Sequence, residues 1–229
     1  MLFTENVKSI LCAPIKHKGT MIGIIYLENN LTVGAFTPDR LQVLQVISSQ
    51  AAISIENARL LSLREDAAKL ETEMQIAADI QQALIPTDPK MKGFEIAGFM
   101  QPADEVGGDY YDVINGGDVD WVVIGDVSGH GVPAGLIMMM VQTVIQALLR
   151  DNPKIQPSSL LRIVNRALSY NIKNLGSMKY MTITVMSINS DGQATASGLH
   201  QDILIYRSKT KTLEEIESGG HWIGLLEEI

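Results

Sequence analysis

The longest stretch of this chain without glycine or proline runs over Asp39–Ile85. Glycine and proline are the residues that interrupt helices most strongly, so a run of this length favours one long helix. Thr37-Pro38-Asp39 provides a start signal, with a capping threonine, a proline at the first helical position and an acid in the first turn. Pro86 and Pro89 stop the helix. The sequence therefore predicts a helix over 37–85, with Asn57–Leu63 as the place where it would break.

A seven-residue repeat marks the later half of this predicted helix. About three heptads is a minimal coiled-coil signal. Two interpretations stay open: a dimeric coiled coil, or one amphipathic helix packed on its own domain. The predicted dimer seam comprises Leu63, Ala67, Leu70, Met74, Ala77 and Leu84, with Gln81 at the remaining heptad position.

The segment before the helix has the pattern of a β-hairpin. Ser9–Ile15 and Met21–Leu27 are apolar, and the polar turn His17-Lys18-Gly19 joins them. An isolated hairpin is not stable in water. We therefore expect this segment to be the remainder of a larger domain that is cut at its N-terminus.

Composition excludes several classes of function. The 229 residues suffice for one or two domains, and 26 acidic against 18 basic residues give a net charge of −8. Nucleic-acid backbones and anionic lipids both require a basic surface. Cys12 is the single cysteine, which excludes an internal disulfide, and no apolar run reaches the length of a membrane span. We expect a cytoplasmic protein that neither binds nucleic acid nor inserts into membranes.

Residues 91–229 alternate between strand and helix patterns. Short turns between successive strands predict an antiparallel meander with attached helices, which is an α+β fold. The predicted helices are Pro133–Leu149 and Pro157–Asn174. The predicted strands are Phe94–Met100, Trp121–Ile124, Tyr180–Ile188, Gln193–Leu199, Ile203–Tyr206 and Leu213–Ile216.

Acidic residues are concentrated in one part of this region. Residues 93–149 contain eight acids and neither lysine nor arginine. Carboxylates brought together without basic partners either have raised pKa values or bind cations. Aspartates without cysteines favour hard ions such as Mg²⁺ or Mn²⁺ over zinc.

Two of these acids lie in glycine-rich surroundings. Asp109 lies in Val106–Asp112, and Asp126 lies in Ile124–Gly131 directly after a predicted strand. Either motif alone could be an ordinary Gly-Asp turn, but the pair in a segment without basic residues favours a metal site. His130 is expected to hydrogen-bond its loop rather than to bind a metal. The glycines expected to shape the site are Gly107, Gly108, Gly125, Gly129 and Gly131.

These motifs resemble a known family. Val106–Val113 and Gly125–Gly135 resemble the two leading motifs of the SpoIIE-like branch of PPM-type protein phosphatases, and Met74–Pro86 resembles the helix that enters that domain. The resemblance implies an α-β-β-α sandwich of two antiparallel sheets. It also implies hydrolysis of phosphoserine or phosphothreonine by water that two Mn²⁺ or Mg²⁺ ions activate.

The resemblance also implies residue roles and a substrate class. Asp109 and Asp126 would be metal ligands, with Asp126 bridging the ions, and the backbone carbonyl of Val127 would face a metal. Asp112 matches a motif position without a ligand role. The substrate in this branch is often a small phosphorylated anti-sigma-factor antagonist.

Two departures from the family pattern affect these expectations. The family has Ala-Gly-His where this chain has Gly198-Leu199-His200, which removes the basis for assigning a role to His200. In the family, the third metal aspartate comes after the segment that corresponds to Gly224-Leu225. This sequence stops at Ile229, before that position. We therefore expect an incomplete sandwich with half of the metal site.

The N-terminal residues resemble the last third of a GAF domain, a small-molecule sensor. The matching segments are Ile10–Asn30, Phe36–Asp39 and Ser49–Ala58. The expected organisation is a partial GAF domain over 1–60, a helical linker over 61–90 and an incomplete phosphatase domain over 91–229. In this order the sensor would act on the phosphatase through a dimeric linker helix. The alternatives are a non-catalytic regulatory or dimerisation module and a metal-binding domain without turnover.

Overall fold

The computed structural model describes residues 7–102 and 104–229. Its chain forms two compact units, Met1–Glu71 and Thr72–Ile229. Residues 1–6 of the expected GAF segment lie outside the described residues. Helix α1, Pro38–Ala83, contributes to both units.

The first unit contains an antiparallel hairpin, as predicted. Strand β1 covers Ser9–His17 and strand β2 covers Thr20–Asn29, with Ser9 opposite Asn29. Lys18 and Gly19 form the two-residue turn, and both have positive φ angles, 45° and 85°. A turn with two positive φ angles matches the twist of the strands that it connects.

Helix α1 is continuous for 46 residues, which confirms the long helix and excludes a break at Asn57–Leu63. The Leu41 amide donates to the Thr37 carbonyl oxygen at its start, 3.1 Å away. Residues 61–70 are all exposed. Near the other end Ala78 and Gln81 are only 3% and 1% exposed. The last turns of α1 are therefore packed within the second unit, and the dimer seam stays a prediction.

A four-stranded antiparallel sheet forms the centre of the second unit. Its strand order follows the sequence, and two helices connect its second and third strands. The strands are β3 Asp109–Asn115, β4 Val119–Val127, β5 Met181–Asn189 and β6 Ala194–Leu199. The helices are α2 Val132–Asp151 and α3 Pro157–Asn174. A separate two-stranded sheet follows, with β7 Ile203–Arg207 and β8 Thr212–Ile216.

These elements confirm the predicted α+β class with antiparallel sheets, but two local predictions were wrong. Phe94–Met100 was predicted as a strand and is irregular, and none of the described strands pairs with it. Asp109–Asn115 is a strand although only a loop motif was recognised there. The preceding Gly107-Gly108 conceals this strand, because glycine pairs are typical of turns.

One face of the sheet packs against the helices and forms the core. Tyr110, Trp121 and Val123 lie there with α2 and α3 side chains such as Ile137 and Leu160, and all five are at most 1% exposed. Alternate residues of each strand point to the opposite face. That face carries Asp109, Ile124 and Asp126, which are exposed.

Helix α2 alone among the described helices is long and apolar enough to cross a membrane. Its residues Ile137, Met138, Val141 and Ile145 are buried in the core of the second unit. A core helix passes the same test of length and composition, so the hydropathy of α2 is accounted for by its packing.

Candidate metal centre on the open face of the sheet

The register of β3 and β4 brings the two motif aspartates together. Asp109 begins β3 and lies directly opposite Asp126 near the end of β4. Directly opposed residues of an antiparallel pair have their side chains on the same face, with Cβ atoms about 5 Å apart. The two carboxylates therefore share one corner of the open face. Neither lies in a turn, so the Gly-Asp turn alternative was wrong.

Glycine at position 108 lets this corner close tightly. The Val127 amide donates to the Gly108 carbonyl oxygen, 3.2 Å away. A Cβ atom at Gly108 would lie 2.6 Å from the Val127 carbonyl oxygen and 3.0 Å from Asp126 Oδ1. A larger residue would displace both oxygen atoms. The structure thus places the Val127 carbonyl and the Asp126 carboxylate beside the same glycine.

The other motif glycines have separate structural reasons. A Cβ atom at Gly125 would lie 2.5 Å from the Thr182 carbonyl oxygen on β5, and one at Gly107 would lie 3.0 Å from the Pro102 side chain. Gly129 and Gly131 have φ angles of 81° and 74°, which favour glycine. These glycines shape the strand ends and the loop that leads into α2.

An open cavity of about 530 Å³ lies over the two aspartates. It is lined by the irregular segment 96–101, by residues 109–113 of β3 and 122–126 of β4, and by His200 and Gln201. Neither lysine nor arginine occurs among the described residues that line this cavity. The cavity is therefore accessible and acidic.

The pair of aspartates affects its own ionisation. Burial raises the pKa of Asp126, and the negative charge of Asp109 raises it further, while His200 and the Val127 amide lower it. A cation placed between the carboxylates would relieve the repulsion between them. The electrostatics thus favour a bound positive charge at this corner.

His200 is the residue that sequence reasoning set aside and that the structure brings to the site. Its Nδ1 atom lies 2.9 Å from Thr182 Oγ1, which lies 3.3 Å from the Asp126 carbonyl oxygen. Burial lowers the pKa of His200, and the nearby negative charges of Asp126 and Asp109 oppose this. The pairing of β4 with β5 is what could have revealed this role of His200, because Thr182 on β5 lies opposite Asp126 on β4.

Other acids of residues 93–149, the segment without lysine or arginine, lie away from the two opposed aspartates. Asp112 lies on the core face, where it accepts hydrogen bonds from Tyr110, Gln146 and the Val113 amide. Because Asp112 is buried and already accepts three hydrogen bonds, its carboxylate is not available as a metal ligand. Asp118 pairs with Lys154 at 2.7 Å, so the expectation that these acids lack basic partners was wrong there.

The loop between Asp126 and α2 is held by side chains from neighbouring segments. His130 Nδ1 lies 2.6 Å from Asp104 Oδ2, so its partner belongs to a neighbouring segment and not, as expected, to its own loop. Lys179 Nζ donates to the Ser128 carbonyl oxygen at 2.8 Å. Lys179 thus brings a positive charge to this loop from outside the basic-free segment.

In the described part of the chain, no group of three or more His, Cys, Asp or Glu side chains is arranged to hold a metal ion. The corner offers two carboxylates, Asp109 and Asp126, with the Val127 carbonyl beside the second. Oxygen donors of this kind suit hard divalent cations.

Two family models match the chain. Residues 117–229 match Stage II sporulation protein E (SpoIIE), and residues 2–55 match the GAF domain. The first match includes Asp126 and Val127 and begins after Asp109.

Two curated proteins are similar to parts of the chain. The phosphoserine phosphatase RsbU of Bacillus subtilis (strain 168) is 29% identical over 167 residues, which are 72% of this chain and 48% of that protein. The hybrid signal transduction histidine kinase G of Dictyostelium discoideum is 53% identical over 56 residues, which are 24% of this chain and 2% of that protein. The chain thus spans about half of RsbU and a small part of the kinase.

A solved structure supports the fold. The SiaA-PP2C domain of Pseudomonas aeruginosa superposes with a TM-score of 0.55 at 22% identity, covering 69% of this chain and 64% of that one. The fold of the chain is therefore PP2C-like.

Proposed function

We propose that the chain is part of a metal-dependent protein serine/threonine phosphatase, because residues 117–229 match the SpoIIE family model and residues 2–55 match the GAF domain. The observation that carries this proposal is the opposition of Asp109 and Asp126 on the exposed face of the sheet. The negative charge of Asp109 raises the pKa of Asp126, and a cation between the two carboxylates would relieve this repulsion.

The donor set at this corner fits a divalent cation. Asp109 and Asp126 supply charged oxygen atoms, and the Val127 carbonyl supplies a neutral one; Mn²⁺ and Mg²⁺ both accept such ligands. Asp109, Asp126 and the Val127 carbonyl are the groups that would hold the two divalent cations that we propose. A divalent cation, when bound, activates water for attack on phosphorus and withdraws charge from the phosphoryl oxygens.

The protein residues around the aspartates have positioning roles in this proposal. Gly108 allows the Asp126 carboxylate and the Val127 carbonyl to lie close to β3. Thr182 holds His200 beside the site through the contact to Nδ1. The cavity leaves room for a phosphorylated side chain to approach the aspartates from solvent.

The substrate that we propose is a phosphoserine or phosphothreonine of a partner protein. The name of RsbU, a phosphoserine phosphatase, supports this class. Within it, a small anti-sigma-factor antagonist is the candidate that we favour from the resemblance. Because none of the described residues that line the cavity is a lysine or arginine, we propose that the substrate phosphate is bound through the metal ions rather than through basic side chains.

Control of the phosphatase is proposed to pass along α1. This helix is continuous from Pro38 to Ala83 and contributes to both compact units. Leu63 and Leu70 of the predicted seam are 53% and 57% exposed, which leaves them available to a second copy of the chain. We propose a homodimer through α1, controlled by the GAF segment.

The direct test is metal-dependent hydrolysis by the chain. Mn²⁺-stimulated release of phosphate from a phosphoserine peptide would be compared between the unaltered chain, Asp126→Ala and Asp120→Ala. Asp120 lies on the same face of β4, about 20 Å from Asp126 along the strand, and serves as the matched control.

We expect the unaltered chain and Asp120→Ala to hydrolyse the peptide only with Mn²⁺, and Asp126→Ala to lose at least roughly 100-fold in rate. Equal activity in Asp126→Ala would overturn the assignment of the site. Saturable Mn²⁺ binding at the aspartates with no hydrolysis would favour the alternative, a metal-binding or regulatory module without turnover.

A further inference from the structure

Gln81 makes an unusual pair of hydrogen bonds near the end of α1. Its Nε2 atom donates to the Gly107 carbonyl oxygen at 2.7 Å, and its Oε1 atom accepts from the Gly107 amide at 3.0 Å. The side chain is only 1% exposed. One buried amide therefore satisfies both backbone groups of a single residue, as a neighbouring strand would.

The segment around Gly107 is tightly enclosed. A Cβ atom at Gly135 on α2 would lie 2.1 Å from Val106 Cγ1, 3.1 Å from Gln81 Nε2 and 3.2 Å from the Gly107 carbonyl oxygen. Val106 itself is 2% exposed. The segment thus fits between the end of α1 and the start of α2, and only a glycine at position 135 leaves room for it.

This segment leads directly into the candidate metal centre. Gly107 is followed by Gly108, whose carbonyl oxygen accepts from the Val127 amide, and then by Asp109. A shift of Gly107 would therefore move Asp109 relative to Asp126 and Val127. A buried polar group without a hydrogen-bond partner lowers the stability of the fold. The two hydrogen bonds between Gln81 and Gly107 therefore favour one position of Gly107.

We propose that Gln81 is a positioning residue for the metal centre: through Gly107 it sets the place of Asp109 opposite Asp126. This inference rests on the proposed function and adds a residue outside both aspartate motifs. The heptad pattern gave Gln81 only a seam position. Its contacts instead connect α1 to the loop that carries the first aspartate.

The test compares Gln81→Met with Gln82→Met in the full chain. Methionine matches the length of glutamine and retains helix propensity but lacks both hydrogen-bonding groups. Gln82 is exposed on the same helix and provides the matched control. Gln81→Glu, which retains only an acceptor for the Gly107 amide, is a second variant in case Gln81→Met folds poorly.

Two readouts besides activity are needed. Hydrogen exchange of the Gly107 amide reports the hydrogen bond itself, and the rise in melting temperature across an Mn²⁺ titration reports the affinity of the site. We expect Gln81→Met to speed exchange at Gly107 roughly fivefold or more. We expect its half-saturating Mn²⁺ concentration to rise roughly 10- to 100-fold, as when groups that orient metal ligands are removed. Gln82→Met should change neither.

Three results would contradict the inference. If Gln81→Met folds, exchanges faster at Gly107 and binds Mn²⁺ as the unaltered chain does, Gln81 does not position the metal ligands. If Gln82→Met weakens Mn²⁺ binding equally, the effect is not specific to Gln81. If the unaltered chain shows no Mn²⁺-dependent rise at all, the proposed function fails, and the positioning role fails with it.

Discussion

The two faces of the four-stranded sheet are built from neighbouring residues of the same strands, yet they differ in almost every property. On the covered face, Tyr110, Trp121 and Val123 are at most 1% exposed and pack with α2 and α3. On the open face, Asp109 and Asp126 oppose each other at the edge of a cavity. Strand alternation thus separates residues that stabilise the domain from the two aspartates that we propose as metal ligands.

The largest effect is expected from truncating the covered face. Trp121 is fully buried, and its Nε1 atom donates to the Pro153 carbonyl oxygen at 2.9 Å. Trp121→Ala should lower the free energy of unfolding by about 3–5 kcal/mol, because it leaves a cavity and an unpaired acceptor. Urea denaturation followed by circular dichroism measures this.

The matched control for Trp121 lies on the open face of the same strand. Ile124 is 43% exposed, so Ile124→Ala should cost much less. Equal losses of stability in the two variants would contradict the assignment of one face to the core.

A smaller, pH-dependent effect is expected from the carboxyl group on the covered face. Burial raises the pKa of Asp112, although hydrogen bonds from Gln146, Tyr110 and the Val113 amide lower it. A raised pKa in the folded state penalises the ionised form at neutral pH. As the pH falls through the folded pKa toward the ordinary aspartate pKa of 3.8, this penalty disappears.

The wild-type chain should therefore gain stability relative to Asp112→Asn between pH 7 and pH 4. The difference between their unfolding free energies, measured by urea denaturation at several pH values, isolates Asp112 because other groups cancel. A difference independent of pH would show that the carboxyl group has the same pKa folded and unfolded.

The smallest effect on metal-free stability is expected from the open face. The pKa of Asp126 is raised by burial and then by Asp109, so its charge is unfavourable in the folded chain at neutral pH. Asp126→Asn should slightly raise the melting temperature without metal and abolish any rise on adding Mn²⁺. A clear fall in the metal-free melting temperature would instead indicate a structural role for the carboxylate.

The main features that the sequence predicted correctly are those that local patterns encode. The hairpin at Lys18-Gly19, the long helix after Pro38 and helix Pro157–Asn174 follow from turn residues, helix starts and periodicity. The accumulation of acids without basic residues indicated the part of the chain in which Asp109 and Asp126 lie opposite each other. These signals depend on residues close together in the sequence.

The features that the sequence did not reveal depend on distant contacts. His200 reaches the site because β5 and β6 return beside β4. Gln81 was indistinguishable from a seam residue until its bonds to Gly107 were visible. Phe94–Met100 has strand-like residues, but a strand requires a paired neighbouring strand. None of the described strands supplies one, and Phe94 forms only an isolated bridge with Met91. The dimer seam itself stays a prediction.

The central claim is that Asp109 and Asp126 form a divalent cation site on the open face. A titration of Mn²⁺ followed by electron paramagnetic resonance, in which the signal of the free ion falls on binding, tests it directly. We predict saturable binding by the unaltered chain and by Asp120→Asn, and loss of that binding in Asp126→Asn. Equal Mn²⁺ binding by Asp126→Asn and the unaltered chain would contradict the account.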